Sequence, residues 1–232
     1  MILIISDKDY YEKAVILIKS IRLQHKNLKI HYHQINFKLN LDINDIEYSY
    51  TNINLDNVNK YKYNNITYTQ KNAYCANIRF KIINNLISEN KYILYIDADS
   101  IIRKPIDKLL DLCNINELVI NKCTKKKYYR KGFRLRTGVF SIRNTPIMKQ
   151  FLQQLIQNIN LYQWFSDQDT IQDTFINFVN KIIFKILDLR YIDWNYNLDS
   201  DIWVGKGENK FKNQKYLELE NKINILYKNT II

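Results

Sequence analysis

The apolar run Tyr92–Ile96 stops abruptly at Asp97, Ala98 and Asp99. Such a run reads as a central strand, which places two acids at its carboxyl end, where open α/β sheets bind their ligands. On an extended chain side chains two apart share a face, so both carboxylates turn to one side. Two hard oxygen ligands of this kind suit Mg2+ or Mn2+, which take one or two protein carboxylates and complete their shell with water and substrate phosphates. Capping of the helix or turn that follows is the competing reading of the same two residues.

Around this strand the chain alternates between strand and helix spacing. Residues 2–5 read as a buried strand, and residues 7–24 as a helix with Ala14, Leu17, Ile18 and Ile21 on one face. Residues 30–35 look like a second strand. The polar, Asn-rich stretch 38–69 reads as irregular connection, and helical spacing returns over 73–87 through Ile78, Ile82, Ile83 and Leu86. Beyond the acids, Pro105 opens a short helix to Leu112, and strands are predicted at 118–120, 137–142 and 183–187, with helices at 147–159 and 167–179. The alternation predicts a three-layer α/β/α sandwich with a mostly parallel central sheet. Among 232 residues there are only 4 Gly and 2 Pro, and no linker separates regions of different composition, so one domain spanning 1–232 is expected.

The formal net charge of +12 accompanies heavy use of Ile, Asn, Lys and Tyr throughout, as an AT-rich genome would impose. The charge therefore says little about a nucleic-acid partner. Residues 122–136 interleave cations with Tyr128, Tyr129 and Phe133, a pattern that suits either a phosphate backbone with stacked bases or a mobile, solvated loop. The apolar start Ile2 to Ile5 is too short for a signal peptide, and no stretch reaches the length of a membrane span. Cys75, Cys113 and Cys123 are odd in number and lack zinc spacing, so a reducing, soluble, cytoplasmic setting is expected. His25, His31 and His33 lie far along the chain from the acids and read as lone surface or strand histidines.

The longer run YILYIDADSIIRKPIDKL resembles the metal-binding segment of nucleotide-sugar glycosyltransferases of the GT-A fold, especially the family of glycogenin and the bacterial lipopolysaccharide glucosyl- and galactosyltransferases. Further segments agree in the family's order. IISDKDYYEKAVILIKSI is similar to its first strand and helix, and Arg79 in ANIRFKII matches an arginine beside the donor. Thr137, Gly138 and Val139 resemble its small-residue strand, FSDQDTI its Asp-Gln motif, WNYN its Trp-Asn segment, and VGKGENK its His-x-x-Gly-x-x-Lys closure. Arg136 stands where the family has Asn, Val204 where it has His, and Lys206 adds a cation to the closing loop.

The resemblance implies transfer of a hexosyl group from a nucleotide-diphosphate sugar, a UDP-sugar, to a hydroxyl on a glycan, protein or lipid-linked acceptor, with retention of configuration. It implies Mn2+ or Mg2+ on Asp97 and Asp99. The donor would lie against Ser6, Asp7, Tyr11, Arg79, Asp97, Ala98, Thr137 and Gly138, and against Gly205, Lys206, Gly207 and Lys210 of the closing loop. Asp167 would bond donor-sugar hydroxyls and Gln168 would face the reacting carbon. Three other readings compete. A nucleotidyltransferase usually carries a Gly-rich loop after its first strand, where SDKDYY stands here. A basic nucleic-acid-binding protein would show steep salt dependence. A degenerate transferase would bind glycans without turning over a donor.

Overall fold

The computed structural model describes residues 1–55, 59–63, 66–123, 132–205 and 209–230. Strand β1 (Ile2–Asp7) passes through a 3-10 turn into helix α1 (Tyr11–Gln24), followed by β2 (Ile30–Ile35), β3 (Ile46–Thr51), β4 (Tyr61–Tyr63) and β5 (Ile66–Tyr68). Helices α2 (Gln70–Asn77) and α3 (Arg79–Leu86) lead to β6 (Tyr92–Ile96), β7 (Ser100–Ile102), α4 (Asp107–Ile115), β8 (Leu118–Lys122) and β9 (Leu135–Arg143). The chain continues through α5 (Pro146–Asn158), α6 (Ser166–Phe178), β10 (Phe184–Leu187), β11 (Ile202–Val204), α7 (Asn209–Lys212) and α8 (Gln214–Thr230).

Among the described residues a seven-stranded sheet runs in the order β10-β8-β9-β6-β1-β2-β3. Its neighbours are parallel except at β9, which is antiparallel to both β6 and β8. Alternation along β1 shows how the sheet serves two cores: Leu3 and Ile5 enter one cluster with Phe80, Ile83, Phe151 and Ile171. Ile2 and Ile4 enter the other, with Leu17, Ile21, Leu109 and Cys113. Helices α3, α5 and α6 thus cover one face and α1 and α4 the other, which is the predicted three-layer α/β arrangement.

The structure corrects the reading of 38–69 as irregular. Strand β3 extends the sheet beside β2, and β4 and β5 form an antiparallel hairpin. Ile46, Tyr48 and Tyr50 do alternate, but Tyr50 is 48% exposed on an edge strand, so the apolar signal is diluted by a solvated face. The first helix begins at Tyr11 rather than Asp7, because the Asp7 carboxylate accepts the Tyr10 N–H at 3.1 Å and holds Lys8–Tyr10 in the 3-10 turn. The helical stretch 73–87 divides at Ile78 into α2 and α3.

Helix α8 packs back on α1 through Lys13, whose Nζ meets both Glu220 oxygens at 2.6 and 2.8 Å. Tyr216 and Ile223 close a third apolar cluster with Ile16, Ile101, Tyr196 and Trp203. No helix of the described residues is long and apolar enough to cross a membrane.

Candidate active site at the carboxyl edge of the sheet

Strand β6 ends at Ile96. The Asp97 N–H donates to the Gly138 carbonyl at 2.8 Å, and the Ser100 N–H donates back to the Asp97 carbonyl at 3.0 Å. Residues 97–100 are therefore a turn, and it is this turn, not an extended alternation, that brings Asp97 and Asp99 together. The turn is braced from behind, since the Asp99 carbonyl accepts the Gly205 N–H at 2.8 Å and the Tyr216 hydroxyl at 2.7 Å. Val204 lies opposite Ser100 in the β7–β11 pair and is buried, so the segment ending at 204–205 borders the acid turn.

Tyr95 and Arg79 orient one oxygen of Asp97. The Tyr95 hydroxyl donates to Oδ1 at 2.9 Å and an Arg79 N–H donates to the same atom at 3.2 Å. Among the described residues Oδ2 receives no hydrogen bond, and it lies 2.8 Å from where a Cβ at Gly138 would stand. Burial pushes the Asp97 carboxyl up to about 6, and the charges of Asp99 and Asp167 push the same way, against Arg79 and the Tyr95 bond. Among the described residues no group of three or more His, Cys, Asp or Glu closes around a metal. Two carboxylates, one with an oxygen that no described residue bonds, fit a hard divalent cation that takes its other ligands from phosphate and water.

Arg79 is buried, and its Nε and Nη1 donors are taken up inside the protein. It bonds the carbonyls of Ala76 and Thr137, both at 2.6 Å, stacks 4.4 Å over the Tyr95 ring and lies 4.0 Å from Asp167. The Thr137 hydroxyl donates a short hydrogen bond to Asp167. Pairing of β8 with β9 jumps from Ile120–Phe140 to Asn121–Arg136, so residues 137–139 bulge away from β8. A bulge of this kind re-aims side chains beside a site, here Thr137 toward Asp167 and Gly138 toward Asp97.

Asp167 and Gln168 occupy the first turn of α6. Phe165 precedes them in a left-handed conformation, φ 66°, a strained state for a non-glycine residue that persists where the surroundings enforce it. Asn77 is one enforcer: its Oδ1 accepts the Asp167 N–H at 2.9 Å, while its Nδ2 donates to the carbonyls of Asn160, Leu161 and Gln163 at 2.8–3.1 Å. Arg134 is another, stacking 4.7 Å over Phe165 and bonding Gln168 Oε1 at 3.2 Å and Asp169 at 3.4 Å.

The expected nucleotide end is tied differently. Ser6 bonds the Tyr32 hydroxyl at 2.6 Å, Asp7 pairs with Lys71 at 2.7 Å, and Tyr11 packs edge-on against Phe37. The Ala98 side chain is buried in the core cluster with Ile96 and Val204. Lys206 and Gly207 lie outside the described residues, as does 124–131 of the basic segment; of Lys210 only the backbone is described, in α7. Lys71, Asn77, Tyr95, Arg134 and Tyr216 escaped the sequence reading. Only Tyr95 carried a signal, two residues before Asp97 and thus on its strand face.

No family model matches the sequence, and no curated protein matches it. Solved structures do match. An active-site mutant of LgtC is similar with a TM-score of 0.58 at 16% identity, covering 95% of each chain. The galactosyltransferase LgtC in complex with donor and acceptor sugar analogues gives 0.56 at 14%, again over 95% of both chains. The apo glycosyltransferase GlyE of Streptococcus pneumoniae TIGR4 gives 0.60 at 14%, over 99% of this chain and 63% of that one. At such identities the likeness speaks for the fold, and the chain has the α/β fold of these glycosyltransferases, the GT-A fold.

Proposed function

We propose that the protein is a metal-dependent glycosyltransferase that moves a hexosyl group from a UDP-sugar to a hydroxyl of a glycan, protein or lipid-linked acceptor. The observation that carries this reading is Asp97: Tyr95 and Arg79 fix one carboxylate oxygen while the other, among the described residues, receives no hydrogen bond, at the edge where such sheets take ligands. Asp97 and Asp99 would hold Mn2+ or Mg2+. When bound, the ion neutralises the charge that develops on a departing diphosphate.

The remaining chemistry falls to residues of the chain. Arg79 holds Asp97, Thr137 and Asp167 in one frame. Asp167, fixed by Thr137, keeps acceptor capacity for a sugar hydroxyl, and Gln168 is held by Arg134 through its carbonyl, leaving its amide N–H groups for the reacting sugar. An inverting course needs a general base opposite the leaving group. Of the candidate bases Asp169, Asp173 and Asp193, the first is matched to Arg134 and the last is buried and bonded by Asn195, Asn197 and Ser200. A retaining course, with attack on the face the diphosphate leaves, accords with this.

The test is hydrolysis or transfer from a panel of nucleotide sugars with Mn2+ or with chelator. At least one UDP-sugar should be turned over only with metal, and Asp99→Asn should lower turnover by at least about a hundredfold while leaving the melting temperature nearly unchanged. Full activity of Asp99→Asn with metal present would remove the acid pair from the mechanism.

A further inference from the structure

Arg136 is a cation two residues before Gly138 on β9 that the mechanism above does not use. Leu135 enters the core with Phe140, and Thr137 meets Asp167, whereas Arg136 and Gly138 project to the opposite face of β9. The shared side is visible in what each meets: a Cβ on Gly138 would come within 3.3 Å of Ile192, and the Arg136 guanidinium lies 3.7 Å over the ring of Trp194. Two strand residues are about 7 Å apart, so the Arg136 backbone stands next along the strand from Gly138, whose side-chain position faces Asp97 Oδ2. Because β9 is antiparallel to β6, its first residues lie at the carboxyl end of β6, where the acids are.

Among the described residues Arg136 is held but meets no carboxylate. Trp194 takes one face of the guanidinium, and one N–H donates to Cys123 Sγ at 2.9 Å. Among the described residues no carboxylate lies within ion-pair distance of Arg136, in contrast to Arg134, which is matched to Asp169. An aromatic plate and a thiol fix the orientation of the cation without satisfying its charge. A guanidinium so presented has donors for an oxyanion, which it binds in planar, two-pronged fashion.

We propose that Arg136 is a specificity-determining residue for an acidic saccharide, binding a carboxylate or phosphate carried by one of the two sugar substrates. The proposal rests on the transferase reading and deepens it. The oxyanion belongs either to the donor sugar, as a hexuronate, or to the acceptor, and the two sources separate experimentally.

The intact protein with Mn2+ is titrated calorimetrically with UDP, UDP-glucose and UDP-glucuronate, and then, with UDP bound, with methyl glucoside, methyl glucuronoside and glucose 6-phosphate. Wild type should prefer an acidic member of one set by at least about tenfold. Preference in the first set assigns the oxyanion to the donor, and preference in the second assigns it to the acceptor. Arg136→Gln should abolish that preference while still binding UDP, and Arg136→Lys should restore part of it by charge without the planar fork. UDP binding with no acidic preference in either set, or a preference that survives in Arg136→Gln, overturns the proposal and leaves the transferase reading standing. Failure of wild type to bind any nucleotide overturns both.

Discussion

Gly138 is the residue on which the geometry of the acid turn is tightest. A methyl group there would stand 2.8 Å from Asp97 Oδ2 and 3.3 Å from Ile192, so Gly138→Ala forces the carboxylate to move. The expected outcome is a loss of stability of about 1–3 kcal/mol together with at least about a tenfold loss of Mn2+-dependent turnover, because the displaced atom is the oxygen left open for the metal. Thermal melts and metal-dependent kinetics on the same sample check it; a variant with normal turnover and metal response would show that Oδ2 does not serve the site. Asp97 and Asp99 stood out in the sequence because a strand ending in two acids carries meaning there, whereas Gly138 and Asp167 entered only through the family resemblance. Tyr95, Asn77 and Arg134 did neither, since a tyrosine, an asparagine and an arginine acquire roles only from partners that the fold supplies.

Individual elements show the same division. Helix α6 delivers Asp167 and Gln168 only because Asn77, at the end of α2, bonds both the Asp167 N–H and three carbonyls of the preceding loop. Asn77→Ala leaves the buried Asp167 N–H and the Leu161 carbonyl without this partner, while the Asn160 and Gln163 carbonyls keep the N–H groups of Gln163 and Ser166, and should cost about 1–3 kcal/mol. It should also lower turnover, since the strained Phe165 turn loses a support. Denaturant unfolding and kinetics of the variant measure both, and an unchanged unfolding midpoint would show that the loop holds itself. Strands with continuous apolar runs, such as β1 and β6, were readable without the structure. Strand β3 was not, because an edge strand solvated on one face mixes its alternation with polar residues, and the separation of α2 from α3 at Ile78 has no Gly or Pro to mark it.

At the scale of the whole molecule, strand and helix alternation sufficed for the three layers and the parallel sheet, whereas α8, which braces Asp99 through Tyr216, gave no motif to notice. The folded molecule also titrates in a definite direction. His33 is buried between Ser49 and Thr51, with ring nitrogens at 2.7 and 3.0 Å from their hydroxyls, and burial lowers its pKa from 6.5 to about 4, the neighbouring His31 adding to the effect. A depressed folded-state pKa means that the unfolded chain takes the proton first. The full contribution of neutral His33 is therefore present above about pH 6.5 and is lost as pH falls toward 4, on the order of 3 kcal/mol in all. His33→Gln should flatten the pH dependence of unfolding in that window relative to wild type, and identical slopes would contradict the burial of a neutral ring. On the proposed reading metal and nucleotide would be linked, because the acid pair would supply two ligands and the donor diphosphate others. The direct measurement is calorimetric titration of UDP into the protein with and without Mn2+, for wild type and Asp99→Asn. Wild type should bind UDP at least about tenfold more tightly with Mn2+ and the variant should lose that gain, whereas equal UDP affinity with and without the ion would contradict a metal-bridged donor site at Asp97 and Asp99.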